Sequence, residues 1–458
     1  MTGLKRPSGA LLAAAGLALV AAFAWQLLLK DGVQRRVEAH FASSPDALSL
    51  ALAVHRIHLY GLFIAAVAVA LALVAVAISQ RSRLEEVHTR VVGSRAAGPL
   101  LVVGAGILAA LGSEREWRAF GSPCWDDYCG QADVYRAWIL HPSPVTWAAV
   151  TDYLHHGLHS NSPLAPLLTA IIGGTSGLST VTSYRVLVGL ATVATLATFW
   201  FLLLPRAEVP SAVRPAALVM LSTSLVLVRS ALFPQTDALL MLWVAVTLAL
   251  ALERTQVARW WHWPAALLLL ASGLLLKVSF APALALIPLA GAYRLWAARQ
   301  VGGIRPLHAV GRLGFEILAF AVLPYLAYRG FQVVAGSTGT YARELAIAHT
   351  ADSWLPLQLE TLLQAALFPI VLFLVGWPVR RRVDVVIVAW VAVYVATLLV
   401  VQASGFDRYQ LPVLPALVLL ASRGLECLQE VHGAALAWVV VLLLAALNYL
   451  ALGLGLYF

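Results

Sequence analysis

Two adjacent aspartates, Asp126 and Asp127, stand in a polar stretch after an apolar run, and Cys124 and Cys129 flank them. Neighbouring carboxylates raise each other's pKa and are costly to bury, so this pair is either solvated in a turn or employed as a general base or cation ligand. A disulfide between the two cysteines would hold the carboxylates in a fixed geometry, which a catalytic base requires. The pattern predicts catalytic aspartates and a Cys124–Cys129 disulfide in an oxidising compartment.

Two basic residues are the next candidates for chemistry. Lys277 is one of three lysines and stands between two apolar runs. An ionisable group at the edge of a membrane span is costly and often functional, although a lysine can also extend to the interface. Arg408 follows Asp407 directly. Its guanidinium group could bind a phosphate with two hydrogen bonds, or simply pair with Asp407.

Three histidines, His155, His156 and His159, could suggest a metal site. The i, i+4 spacing of His155 and His159 would place both on one helical face, as metal ligands require. No acidic third ligand stands at a diagnostic offset, and no second cysteine pair has zinc-type spacing. We therefore expect a polar interfacial loop and no metal site at these histidines.

Composition limits the elements that can position these residues. Of 458 residues, 61% are hydrophobic and 12% are charged, whereas soluble domains carry about 25% charge. The mean hydropathy of +0.84 excludes disordered chains, collagen-like chains and disulfide scaffolds. The apolar excess runs through the whole length, which excludes a soluble enzyme with one anchor and disfavours an alternating outer-membrane barrel. The composition predicts an all-α polytopic membrane protein.

Apolar runs that meet or approach the roughly 20 residues of a membrane span number about thirteen. They are Gly9–Leu29, His58–Ser79, Gly98–Leu111, Val181–Leu204, Pro215–Val228, Thr236–Leu252, Trp263–Leu276, Val278–Ala297, Gly311–Tyr328, Leu359–Gly376, Val385–Val401, Leu411–Leu425 and Ala434–Leu456. Two long polar connections, residues 112–180 and 329–358, are the expected functional loops. We expect these outer loops to carry interfacial helices. Within the first, Pro163–Gly173 is apolar but too short to span, so we expect it to lie along the outer interface or to pack under the loop.

The distribution of charge predicts the orientation. With the N-terminus in the cytoplasm, about 18 of the 31 basic residues fall in inside loops, among them Arg254, Arg294, Arg423 and the run Arg380–Arg382. The net charge of +9 therefore reports topology and does not indicate a nucleic-acid partner. We expect the C-terminus outside. The first run could instead be a signal peptide, which would leave later orientations unchanged.

Four stretches in this order carry a family resemblance: Trp125–Tyr128, Ser160–Leu164, Phe233–Ala238 leading into Leu274–Lys277, and Asp407–Pro415. Their order and positions resemble the GT-C superfamily of lipid-linked-sugar glycosyltransferases, in the branch of protein mannosyltransferases and aminoarabinose transferases. Asn161-Ser162 replaces the His-Pro of that family. The resemblance covers residues 98–427, with two additional helices in residues 1–97 and a C-terminal helix in residues 428–458.

The resemblance implies a polyprenyl-phosphate sugar donor and an acceptor hydroxyl on a glycan, lipid or protein, at the outer face of a bacterial cytoplasmic membrane. Asp127 or Asp126 would be the general base of an inverting displacement, while Lys277 and Arg408 would neutralise the lipid phosphate. A carboxylate could hold Mg²⁺ or Mn²⁺. The remaining expected substrate-binding residues are Tyr128, Asp133, Asn161, Tyr409 and Asp237. The alternatives are a transporter or flippase, and a non-catalytic lipid-binding protein of GT-C type.

Overall fold

The computed structural model describes residues 97–120, 128–156, 162–233, 235–257, 259–300, 306–336, 369–400 and 407–454, with a few isolated residues before 97. All regular secondary structure in these ranges is helical, as the sequence predicts. The chain divides into two compact units. One is Arg95–Cys427, and the other combines Met1–Ser94 with Leu428–Tyr457.

The helices are numbered in chain order. They are α1 (Ala97–Phe120), α2 (Tyr128–Leu140), α3 (Pro144–His156), α4 (Leu164–Ser176), α5 (Thr180–Arg206), α6 (Arg214–Ser222), α7 (Leu225–Ser230), α8 (Asp237–Gln256), α9 (His262–Leu276), α10 (Val278–Gln300), α11 (Pro306–Ile317 continuing through Leu318–Val322 and Leu323–Val334), α12 (369–375), α13 (Asp384–Val400), α14 (Asp407–Val413 continuing as Leu414–His432) and α15 (Ala434–Leu454).

Five of these helices are long and apolar enough to cross a membrane: α5, α8, α10, α11 and α14. Five shorter apolar helices accompany them, so the described residues are compatible with a multi-pass membrane protein. The first two runs predicted from the sequence, Gly9–Leu29 and His58–Ser79, lie outside the described residues.

The predicted single span Pro215–Val228 is wrong in that form, because the structure has two short helices, α6 and α7. The hydroxyl of Thr223 donates to the carbonyl of Val219 at 2.7 Å. Ser224 then adopts an extended conformation with ψ 136°. A hydroxyl that bonds back to the preceding turn competes with the helical ladder, which accounts for a break at this point.

The predicted polar loop at residues 112–180 is mostly helical in its described part. Helices α2, α3 and α4 share a small core around Tyr135, Val150 and Ala170. Helix α4 ends at Gly177, whose φ of 72° and N–H bond to the carbonyl of Gly173 make a left-handed cap. This helical layer packs through α4 against both α5 and α9.

Helix α8 is the centre of the larger unit, and it packs against α5, α9, α10 and the first turn of α14. The chain reverses after each of these helices, so their ends gather in two groups. We call one group the Lys277 end, where α8 begins and α9 ends. The other is the Arg381 end, where α5, α8 and α10 end and α13 begins.

Candidate functional site

An ion pair joins the two segments, Phe233–Ala238 and Leu274–Lys277, that make up the third stretch of the family resemblance. Asp237 is the first residue of α8, and Lys277 lies between α9 and α10. The ammonium Nζ of Lys277 donates to Oδ1 of Asp237 at 2.7 Å. The carboxylate is 1% exposed and the lysine side chain 16% exposed. Both residues also take part in further interactions, so the pair belongs to a larger polar group.

The position of Lys277 follows from the way α9 ends. Lys277 is extended, with φ −165° and ψ 136°, and its N–H donates to the carbonyl of Gly273 at 3.0 Å. A Cβ at Gly273 would overlap the ring of Phe280, so only glycine lets the chain fold back this closely. The N–H of Phe280 in turn donates to the Lys277 carbonyl at 2.9 Å. The reversal therefore fixes the backbone of Lys277 from both sides.

The stretch that contains Arg408 and Tyr409 opens α14 as the 3₁₀ turn Asp407–Val413. This turn packs against α8 and α7, so its backbone lies beside the helix that Asp237 opens. Gln410 and Leu411 in the turn are buried. The side chains of Arg408 and Tyr409 lie outside the described residues.

Asp133 lies on the exposed side of α2 and accepts a hydrogen bond from the hydroxyl of Thr180 at the start of α5. Arg136, one turn later, donates to the carbonyl of Leu178 at 2.7 Å. Burial raises the pKa of Tyr135 above its usual value, although a hydrogen bond from Gln131 opposes the shift. The hydrogen bonds of Asp133 and Arg136 hold α2 against the junction of α4 and α5.

The two long polar connections meet at a glycine. Gly336, after α11, has φ 67°, and a Cβ there would overlap the imidazole of His155 at the end of α3. The neighbouring His156 bonds Asp152 at 2.9 Å. Within the described ranges no three His, Cys, Asp or Glu side chains are placed to hold a metal ion. His159 lies outside those ranges.

Several of the predicted site residues belong to the first polar connection. Asp126, Asp127, Asn161 and Cys124 lie outside the described residues, and Tyr128 is described only as the first residue of α2. Cys129 is disulfide-bonded. The proposed roles of the two aspartates and the pairing with Cys124 therefore stay predictions.

A buried charge cluster that was not predicted from the sequence lies at the Arg381 end. Glu316 of α11 accepts from Arg254 at 3.0 Å and from Arg294 at 3.2 Å. Arg254 is 2% exposed, and its guanidinium also lies over the rings of Trp263 and Phe320. The assignment of Arg254 and Arg294 to inside loops was therefore wrong, since both belong to helices and are ion-paired. The sequence contained two signs of this cluster, because Arg294 and Glu316 both fall within predicted apolar runs.

Arg423 is likewise buried in α14 and does not belong to a loop. Its Nε and Nη2 atoms donate to the two carboxylate oxygens of Asp384 at 3.0 and 2.8 Å. Nη2 also donates to the carbonyl of Ala207, just after α5. This fork geometry joins α5, α13 and α14, so the residue acts as a structural tie in addition to any effect on orientation.

The structure thus brings Asp237, Lys277 and the turn of Arg408 to one end, with the helical layer of α2–α4 beside α9. The lysine of this pair is the partly exposed member, so its ammonium is the group that an anionic ligand could contact here, while an ionisable group at the edge of a span is often functional. No protein-family model, curated protein or solved structure matches the chain, so its function must be argued from this geometry.

Proposed function

We propose that the chain is a multi-pass membrane glycosyltransferase of GT-C type. It transfers a sugar from a polyprenyl-phosphate donor to an acceptor hydroxyl at the outer face of a bacterial cytoplasmic membrane. About thirteen helical segments span the membrane, one of them formed by the two short helices α6 and α7, with the N-terminus inside and the Lys277 end outside. The observation that supports the proposal is the contact of Lys277 with Asp237, because it brings the two segments of the third motif stretch together and holds a lysine at this end of the bundle.

The leaving group of this reaction is a lipid phosphate, so the site must stabilise negative charge near the membrane edge. Lys277 is partly exposed, while the buried Asp237 fixes the position of its ammonium group. Asp237 is therefore a positioning residue that acts through Lys277. Arg408, in the neighbouring turn, supplies a second cation with fork geometry. Preorganised charges in a site poor in water usually provide the largest part of catalysis.

The reaction balances as a single displacement. Asp127 or Asp126 takes the proton of the acceptor hydroxyl, whose oxygen forms a bond to C1 of the sugar as the bond from C1 to the phosphate oxygen breaks. The products are an inverted glycoside and polyprenyl phosphate. Tyr128 and Asp133 on α2, Asn161 before α4, and Tyr409 bind the substrates. A carboxylate of the aspartate pair could also hold Mg²⁺ or Mn²⁺.

The test replaces Asp126 and Asp127 by Asn, singly and together. Sugar incorporation and release of polyprenyl phosphate are measured with a panel of labelled polyprenyl-phosphate hexoses and an extract of the source cells as acceptor. Loss of the base should lower transfer by about 10²–10⁴-fold. Asp152→Asn is the matched control, because Asp152 is an exposed carboxylate of the same connection. Full transfer by the double variant would overturn the catalytic assignment.

A transporter or flippase is the second candidate, favoured by the buried charges of Arg254, Glu316, Arg423 and Asp384. Charged groups inside membrane segments often mark transport pathways. This candidate predicts that the purified chain moves a fluorescent polyprenyl-phosphate sugar across liposomes without cleaving it. A non-catalytic lipid-binding protein would retain the donor but show neither transfer nor movement.

A further inference from the structure

A polar cavity of about 390 Å³ opens at the Arg381 end, opposite the Lys277–Asp237 pair. Its walls include Glu208, Gln256, Tyr293, Arg380, Arg381 and Arg382. The volume falls within the range of small-ligand sites, roughly 300–1,000 Å³. The proposed sugar transfer makes no use of this cavity.

Buried ion pairs hold the wall of the cavity in place. Arg381 donates through Nη2 to Glu426, and its backbone N–H donates to Oδ2 of Asp384 at 2.7 Å. Asp384 accepts two hydrogen bonds from the buried Arg423, which also donates to the carbonyl of Ala207. The next residue, Glu208, has φ 58° and forms the facing wall. The same network therefore fixes both sides of the cavity, which is thereby preorganised.

The charge at the mouth of the cavity is positive. Glu426 offsets Arg381, but Arg380 and Arg382 are exposed, and Glu208 is the one acidic residue among those that line the cavity. Within the described residues the Arg382 guanidinium has no hydrogen-bond or ion-pair partner. Arg380 donates to the carbonyl of Trp377 at 3.1 Å and lies over its ring. Guanidinium groups match phosphate oxygens in both charge and geometry.

Exposed aromatic side chains place this mouth at the level of a membrane surface. Trp377 is 49% exposed, and Trp296 is 54% exposed beside Tyr293 of the cavity wall, with ring centroids 5.9 Å apart. Tryptophan and tyrosine concentrate where the hydrocarbon core meets the headgroups. Basic pockets among membrane helices at this depth bind phosphate-bearing headgroups.

We propose that this cavity binds the phosphate group of a glycerophospholipid from the leaflet at the Arg381 end. Arg380 and Arg382 contact the phosphate, and the polar wall opposite receives the rest of the headgroup. The inference rests on the chain spanning a membrane, but it does not depend on sugar transfer. Failure of one can therefore be told from failure of the other, because the test below measures binding and no transfer.

The test uses the full chain in neutral detergent and titrates dioctanoyl phosphatidylglycerol, with dioctanoylglycerol as the phosphate-free probe. Arg380→Gln with Arg382→Gln should weaken phosphatidylglycerol binding about tenfold or more, as charge-assisted hydrogen bonds are lost. Arg299→Gln with Arg312→Gln is the matched control, since both arginines are exposed at the same end but do not line the cavity. The control pair should bind within about twofold of the unmodified chain.

Arg382→Gln alone controls for misfolding, because the Arg382 side chain is exposed and makes no hydrogen bond or ion pair within the described residues. It should weaken binding with an unchanged melting temperature. Inorganic phosphate is titrated in parallel. If inorganic phosphate binds as tightly as the lipid and its binding depends on the same arginines, the cavity is a site for a soluble phosphate and the proposed lipid ligand is wrong. The proposal would be overturned if both double variants weakened phosphatidylglycerol binding equally, or if dioctanoylglycerol bound as tightly as phosphatidylglycerol.

Discussion

Lys277 and Asp237 stand 40 residues apart in the sequence, yet Nζ of the lysine lies 2.7 Å from Oδ1 of the aspartate. A buried ion pair is weak evidence for stability, because desolvation cancels much of the attraction. The contact is better explained by position: it holds a cation at the edge of the bundle, where α8, α9 and α14 meet. The effect of the pair on the stability of the chain and its effect on sugar transfer can therefore be measured separately.

Asp237→Asn and Lys277→Met should each lower the melting temperature of the purified chain. Either change leaves one charge without its counterpart, at a cost of about 3 kcal/mol for a largely buried pair. The double variant should regain most of that stability, since no charge is left unpaired. Sugar transfer should be lost in all three variants. Recovery of transfer in the double variant would contradict a phosphate-binding role for Lys277.

The sequence predicts the helical class and flags Lys277, because a long apolar run and a lone charge beside it are both local patterns. It does not predict the partner of Lys277, because hydrophobic periodicity gives no information on which residues far apart in the chain lie close together. Counting basic residues failed at Arg254 and Arg423 for a related reason. The positive-inside rule treats charges near helix ends as solvated. Arg254 and Arg423 are instead buried, in ion pairs with Glu316 and Asp384.

The helical layer of the first polar connection was predicted only in part: the interfacial segment Pro163–Gly173 overlaps α4, whereas α2 and α3 were not predicted as individual helices. Helices α2 and α3 have 13 residues each, too short to give a clear membrane signal. Their small shared core around Tyr135 forms only when the segments pack together. Asp133 was identified as a polar candidate, but its hydrogen bond with Thr180 across 47 residues is a tertiary contact.

Glu316→Gln should destabilise the chain strongly. Glu316 bridges Arg254 and Arg294, so a neutral side chain would leave two guanidinium groups facing each other in a buried site. Removal of one member of a buried ionic cluster costs about 3–5 kcal/mol. Thermal unfolding in detergent measures the effect. Glu430→Gln, an exposed change of the same chemistry, should shift the melting temperature little. Equal shifts would mean that Glu316 is not the bridge.

Gly424→Ala should loosen the packing of α14 against α12. A Cβ at Gly424 would overlap the carbonyl of Leu372, and one at Gly376 would overlap the backbone of Arg423. Small residues allow membrane helices to approach this closely. Overpacking costs about 1–3 kcal/mol, which lowers the melting temperature. Gly311→Ala is the control, because open space surrounds that glycine of α11. A harmless Gly424→Ala would refute the close approach.

The cysteines should show one free thiol and one disulfide per chain. Cys427 is free and Cys129 is disulfide-bonded, in a chain with three cysteines. Alkylation of the denatured, unreduced protein should therefore add one label, and alkylation after reduction three. Peptide mapping should find Cys129 linked to Cys124 of the same chain. Three labels without reductant, or a disulfide-linked dimer on a non-reducing gel, would contradict the predicted pairing.

Cys427 also tests the proposed orientation. It lies one residue after Glu426, the partner of Arg381, and so belongs to the Arg381 end. If that end faces the cytoplasm, a membrane-impermeant maleimide added to intact cells should leave Cys427 unlabelled, while a permeant maleimide should label it. Cys427→Ser controls for labelling elsewhere, and permeabilised cells should restore labelling by the impermeant reagent. Labelling of intact cells by that reagent would place the Arg381 end outside. Lys277 and its proposed phosphate ligand would then face the cytoplasm, because both ends belong to the same unit and the bundle lies between them.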